Sequence, residues 1–247
     1  MKSFIIAAQF LTRIPIKINM EVSNEEFGSS QKAFIFVGLL LGGIISGAYY
    51  LLNFHLPPLI LGGILLLLEV GVSGGLLLDG FMDTCDGIFS ARPRDRALEI
   101  MKDSRVGAHS VTSVTLLFII KFAIYSSLQY LNNPYIITLL SPVVGLWFLL
   151  FIIVFFPYAR KEGIGKFFKD RTKKSYFYFS TIILLFASWL IADNFYPIAG
   201  ILITFFAGLS IASKINIFLL GHTGDTYGAM AQTTQGIFML VMTFLLY

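Results

Sequence analysis

Seven runs of mostly apolar residues dominate this chain and limit what it can fold into. They are Ala33–Phe54, Leu56–Leu78, Ala108–Tyr130, Tyr135–Tyr158, Phe177–Phe195, Ile198–Gly221 and Met230–Tyr247. About twenty such residues in a helix cross the hydrocarbon of a bilayer, and most of these runs are that long or longer. The connections at Leu56–Pro58, Asn132–Pro134 and Asp193–Pro197 are short and carry turn residues. Composition agrees: 56% of the 247 residues are hydrophobic and 13% charged, against roughly a quarter charged in an ordinary soluble domain. The expected fold is therefore all-α, a polytopic integral membrane protein with about seven transmembrane helices. No repeat, low-complexity tract or linker divides it, so residues 1–247 are expected to form a single membrane-embedded domain. Ahead of the first run, Phe4, Ala7, Ala8, Leu11 and Ile14 recur at helical spacing. Arg13 and Lys17 follow without a small-residue cleavage site, which predicts an interfacial amphipathic helix and not a signal peptide. The single cysteine, Cys85, excludes an internal disulfide and offers no metal-ligand spacing.

Charge placement orients the spans. With the first span starting at Ala33, one face receives the N-terminal segment, Asp79–Gly107, Ala159–Tyr176 and Gly221–Ala229. Every Lys and Arg except Lys121 and Lys214 falls there, including Arg160, Lys161, Lys166, Lys169, Arg171, Lys173 and Lys174. The opposite face carries only Asp193 as a charged side chain. The positive-inside rule makes the basic face cytoplasmic in the cell inner membrane. Glu69, Lys121 and Lys214 lie within spans, where an unpaired charge is costly. Lys214 is near a span end and can snorkel. Glu69 and Lys121 are expected to pair or to line a polar cavity.

The densest chemistry follows the second span. Asp79, Asp83 and Asp86 are spaced i, i+4, i+7, which on a helix puts all three within about 60° of one another. Like charges so arranged repel, and more strongly at a membrane boundary than in water. A helix cap or a solvated loop explains one Asp beside a Gly, but poorly explains three in register among Leu76, Leu77, Phe81, Met82 and Ile88. A cation among them does explain the stripe. Hard oxygen ligands with no His or Cys at ligand spacing favour Mg²⁺ or Mn²⁺.

Pro93–Met101 reads as a short amphipathic helix with Pro in its first turn. It delivers Lys102, Asp103, Ser104 and Arg105, of which the two cations suit phosphate oxygens and Asp103 a metal shell. A second motif, Gly221–Ala229, returns to the same face. Its glycines, Gly224 among them, permit close backbone approach to a ligand, while Thr223 supplies a donor and Asp225 another hard ligand. His55, His109 and His222 are isolated, and none is expected to be catalytic. Carboxylates for metal and cations for phosphate in a membrane protein suit transfer of a phosphoryl-linked group to an alcohol.

These residues resemble the cobalamin synthases, the adenosylcobinamide-GDP ribazoletransferases. The matching blocks are FLTRIP at Phe10–Pro15, VGLLLG at Val37–Gly42, GGLLLDGFMDTCDG at Gly74–Gly87, ALEIMKDSRVG at Ala97–Gly107, ARKEGIG at Ala159–Gly165, and TGD with YGA across Thr223–Ala229. They span nearly the whole chain in order. The resemblance implies a Mg²⁺-dependent enzyme that joins α-ribazole, or its 5′-phosphate, to adenosylcobinamide-GDP. A ribose hydroxyl attacks the phosphorus bonded to the cobinamide side, and GMP leaves. It further implies metal binding at Asp79, Asp83 and Asp86, with Asp83 also catalytic. Phosphate or substrate contacts are implied at Lys102, Ser104, Arg105, Thr223 and Gly224. Asp103 and Asp225 are candidates for a second metal or the general base, and Arg13 and Arg160 for contacts to GDP or substrate phosphate.

Two departures from the family pattern stand out. Gln232 and Gln235 occupy positions where many relatives carry glutamate, and the fourth span reads SPVVGLWF where an arginine is common. A CDP-alcohol phosphotransferase would share the Asp/Mg²⁺ logic, yet the Ala-Arg expected after its Asp-Gly is absent here. A small-anion transporter fits seven spans loosely, but the candidate site lies at one face instead of the midplane. Expected partners are the two substrates and membrane lipid, with no nucleic acid; a homo-oligomer is compatible with the sequence.

Overall fold

The computed structural model describes residues 1–16 and 21–247, so Lys17 lies outside the described residues. Among them are helices and one isolated bridge but no strands. The helices are α1 (Lys2–Leu11), α2 (Asn24–Gly28), α3 (Phe34–Leu52), α4 (Pro58–Ser73), α5 (Leu76–Phe89), α6 (Arg94–Ile100), α7 (Ala108–Ser127), α8 (Tyr135–Phe155), α9 (Ile164–Arg171), α10 (Lys174–Ile191), α11 (Tyr196–Leu219) and α12 (Gly224–Leu246). Six stretches are long and apolar enough to cross a membrane, and α4 with α5 makes a seventh if counted as one broken span. The chain is a multi-pass membrane protein.

Helix α8 is the axis of the bundle. Nearly all of it is buried, and α3, α10 and α12 pack around it. Small residues set the closest approaches. A Cβ on Gly42 would collide with the Leu139 carbonyl, and one on Gly145 would lie 2.8 Å from the Ala231 carbonyl oxygen. Apolar side chains gain little by leaving lipid for protein, so close backbone contact of this kind is what holds membrane helices together.

Three elements differ from the sequence expectation. The second span does not run straight to Leu78: it stops at Ser73, and α5 leaves at 94°. Gly74 and Gly75 make that corner with φ of +68° and +77°, a left-handed pair that residues with a Cβ adopt only at a cost. The last helix starts at Gly224, six residues earlier than its apolar run, because Thr223 and Thr226 cap it reciprocally. Helix α1 is amphipathic as expected, but its apolar face is covered by protein. Ile6, Ala7, Ala8 and Leu11 are buried, and α1 packs on α3 and the 3₁₀ turn Ser30–Ala33.

Glu69 and Lys121 do pair. Lys121 Nζ donates to Glu69 Oε1 at 2.6 Å and to Gln232 Oε1 at 2.8 Å. Glu69 also accepts from Tyr125 Oη at 2.7 Å and from Gln235 Nε2 at 2.9 Å. The two departing glutamines thus belong to a buried network that ties α4, α7 and α12 together. One carboxylate and one ammonium balance in it, with neutral amides around them. Lys214 instead is exposed and lines an apolar crevice of about 680 Å³ between α5, α7, α11 and α12.

Candidate active site

The corner at Gly74–Gly75 sets the site. Because α5 turns away from α4, its carboxylates are carried along one end of the bundle instead of away from it. There α5 crosses the start of α12 at very close range. A Cβ on Gly80 would lie 2.7 Å from the Asp225 carbonyl oxygen, and one on Gly228 would lie 2.7 Å from that of Leu77. Asp79 and Asp225 consequently line one cavity of about 170 Å³. Its remaining walls come from α1, α3, α8 and α9.

A parallel bridge completes the corner. Ala159 N donates to His222 O and His222 N to Pro157 O, both at 2.8 Å, clamping the loop after α8 to the loop before α12. This brings Arg160 Nη1 to 2.9 Å from Asp225 Oδ2. Thr223 Oγ1 donates to the same oxygen at 3.3 Å. His222 itself is fully buried between Thr226 Oγ1 and the Ala212 carbonyl, and burial pushes its imidazole down to about 4. It is therefore a neutral brace at physiological pH.

Asp83 is the most perturbed acid on α5. Burial pushes it up to about 7, reinforced by Asp79, Asp225 and Asp86 and opposed by Arg160. Asp86 belongs to the same stripe but faces another task. Its Oδ2 accepts from Gly107 N at 2.8 Å and its Oδ1 from Ser110 N at 2.9 Å. Helix α7 has no side-chain cap of its own, so Asp86 supplies one across the fold.

Among the described residues, no three His, Cys, Asp or Glu side chains gather round a single point. The donor set nonetheless suits a hard divalent cation. Asp79 and Asp83 are oxygen donors with mutually unfavourable charge, and Mg²⁺ typically takes one or two carboxylates and completes its shell with substrate phosphates and water.

The other residues singled out from the sequence are spread around this centre. Lys102 and Arg160 line an open cleft of about 530 Å³ beside the acidic corner, with Arg94 and Lys161 and the carboxylates of Asp95, Glu99 and Glu162. Arg94 was not anticipated. It donates to Leu219 O at 2.8 Å and to Ala159 O at 3.0 Å, fixing the Arg160 loop from α6. Asp103 and Arg105 form an exposed pair 2.5 Å apart, and hydrogen bonding to Arg105 holds the Asp103 carboxyl down at about 2. Ser104 is exposed between them. The Arg13 side chain lies over the corner glycine Gly74, and its backbone N–H donates to Val72 O at 2.8 Å. Gly224 opens α12 at the cavity edge, and a Cβ on Gly165 of α9 would come within 2.9 Å of its nitrogen. Tyr227 also went unnoticed in the sequence. It is 4% exposed and lines the cavity, and its hydroxyl is buried without a hydrogen-bond partner.

The family model described as cobalamin-5-phosphate synthase matches residues 3–243. The chain belongs to that family. Within it, the chain is 38% identical to an adenosylcobinamide-GDP ribazoletransferase of Desulfitobacterium hafniense, over all of this chain and 98% of the relative. It is 35% identical to one of Acetivibrio thermocellus and 32% to one of Clostridium botulinum, each over 98% of this chain and 97% of the relative. No solved structure matches the chain. The family match covers the residues of both the acidic corner and the cleft beside it.

Proposed function

We propose that this protein is an adenosylcobinamide-GDP ribazoletransferase, transferring the cobinamide phosphate to α-ribazole or its 5′-phosphate with release of GMP. The observation that carries the reading is the contact between Arg160 and Asp225, where a cleft of mixed charge with one cation in excess meets an acid-lined cavity. The anionic donor suits the side of the cleft formed by Lys102 and Arg160, which Arg94 braces; the alcohol acceptor suits the cavity. A ribose hydroxyl oxygen forms a bond to the phosphorus next to cobinamide, and the bond from that phosphorus to the GMP oxygen breaks. The hydroxyl proton passes to Asp225, which faces the acceptor cavity on one side and Arg160 on the other. Arg160 stabilises charge developing on the transferred phosphoryl group through its guanidinium fork. Asp79 and Asp83 would hold Mg²⁺, which when bound neutralises diphosphate charge. Lys102 and Arg105 are the outer phosphate contacts. The basic end of the bundle faces the cytoplasm from the inner membrane, the side on which a large anionic corrinoid would dock.

The test is turnover in detergent. Purified protein is mixed with adenosylcobinamide-GDP, α-ribazole and Mg²⁺, and GMP and corrinoid product are quantified. Product that disappears with chelator and with Asp83→Asn supports the reading. Folded protein that yields neither GMP nor corrinoid, with either acceptor, overturns it.

A further inference from the structure

The apolar crevice between α5, α7, α11 and α12 has no task in the proposed reaction. Its volume is about 680 Å³, within the roughly 300–1,000 Å³ of ligand pockets and unlike the nearly voidless packing of a protein interior. Ile215, Ala229 and Met230 form a buried floor, while Phe89 and Leu116 at the rim are 57% and 55% exposed. The crevice thus opens on the outside of a membrane bundle, where the surrounding medium is hydrocarbon. Lys214 is the one charged side chain in its lining, and Ser113 and Thr233 add half-buried hydroxyls. No ion pair among the described residues includes Lys214. It lies five residues, about 8 Å, inside the end of α11 at Leu219, so its ammonium can reach the headgroup level. Ile211 lies deeper, about 12 Å from the same end. The crevice is therefore cationic towards the headgroups and apolar towards the bilayer core.

We infer that this crevice is a binding site for one anionic phospholipid, drawn from the leaflet at the acidic end of the bundle. The lipid phosphate meets the Lys214 ammonium, and one acyl chain runs inward along Leu116, Ile211 and Met230. A zwitterionic headgroup would bring its own cation beside Lys214, and the lining has no carboxylate to offset it. An anionic headgroup brings no such conflict. The position of the site matters to α5. At about 100° per residue, Phe81, Cys85 and Ile88 fall roughly 140–160° round the helix from Asp83, and all three line the crevice. Helix α5 therefore lies between the crevice and the acidic corner, and the acyl chain completes the packing on its apolar face.

Native mass spectrometry of the full chain in detergent tests this without turnover, so the result stands apart from the transfer reading. Binding is compared for phosphatidylglycerol and phosphatidylcholine with the same acyl chains. One lysine at the headgroup level should give wild type about a fivefold preference for the anionic lipid. Lys214→Gln should lose that preference. Lys173→Gln, which removes an exposed cation outside the crevice, should keep it. Leu116→Trp, which crowds the rim, should weaken both lipids. In nanodiscs, phosphatidylglycerol with a diazirine on one acyl chain should label the α7 and α11 peptides that contain Leu116 and Ile211. Equal binding of the two lipids by wild type overturns the assignment, as does a preference that survives Lys214→Gln. Labelling confined to other helices overturns it too, and so does a dimeric mass without lipid adducts, which would mean that a second copy fills the crevice.

Discussion

Lys121→Met separates two accounts of the buried network. Lys121 makes two hydrogen bonds there, at 2.6 Å to Glu69 and 2.8 Å to Gln232. If these were only hydrogen bonds, their loss would cost about 1 kcal/mol, since interhelical bonds in membranes average about 0.6 kcal/mol each. The geometry argues for more. Glu69 and Lys121 are both buried, so removing the ammonium strands a carboxylate that keeps only two neutral donors, Tyr125 and Gln235. Breaking a buried pair from one side costs about 3–5 kcal/mol. Glu69→Gln with Lys121→Met removes both charges and should recover most of that loss. The assay is the apparent Tm of a fluorescent fusion in detergent, followed by size exclusion, for the four members of the cycle. Lys121→Met should melt far below wild type, and the double variant should lie above it. A double variant as unstable as the sum of the singles would refute the ion-pair account.

Three further outcomes are expected. The folded pKa of Asp83, about 7, lies above its unconstrained value of 3.8, so without Mg²⁺ stability is complete at low pH and falls as pH rises through that window. Melting curves between pH 4.5 and 8, set by that window, should show the decline, and Mg²⁺ or Asp83→Asn should abolish it. Arg160→Gln should lower kcat/KM about 100-fold, as loss of a transition-state donor does; Arg160→Lys should recover little, because one ammonium cannot reproduce the fork, and steady-state kinetics at saturating Mg²⁺ checks both. Asp86→Asn keeps one acceptor for the α7 terminus instead of two and should cost about 1 kcal/mol, read as a lower apparent Tm with the Mg²⁺ concentration for half-maximal rate unchanged.

The bundle was largely legible because the bilayer imposes length and apolarity on every span, and the Glu69–Lys121 pairing because neither charge is tolerable alone in hydrocarbon. The corner was not. The apolar residues run on through Val72 to Leu78, and only the left-handed backbone of Gly74 and Gly75 breaks them. The start of α12 was hidden for the opposite reason: Thr223–Gln235 is polar for a span, yet its cap and its burial against α5 and α8 make it helical. Periodicity placed Asp79, Asp83 and Asp86 on one stripe. It had no means of revealing that Asp86 looks towards Gly107, because that partner lies 21 residues away. The cavity drew its walls from six helices, and a composite of that kind leaves no local pattern in the chain.

The right-angle corner also accounts for how a membrane protein can present carboxylates to a bulky polar substrate. Had α5 continued along α4, Asp79 and Asp83 would stand on an isolated helix in water. There they would be fully hydrated, and repulsion between them would be weak. Folded across the start of α12, Asp83 is half-buried while Asp79 stays exposed beside it, and Asp83 responds by holding its proton up to about 7. That strain is useful only if something arrives to relieve it, and a divalent cation carried with a diphosphate does so. The close packing of Gly80 and Gly228 holds α5 against α12 and so keeps Asp83 within the influence of Asp225. On this argument the glycines serve the electrostatics of the site, since any side chain at those contacts would separate α5 from α12 and let the acids relax.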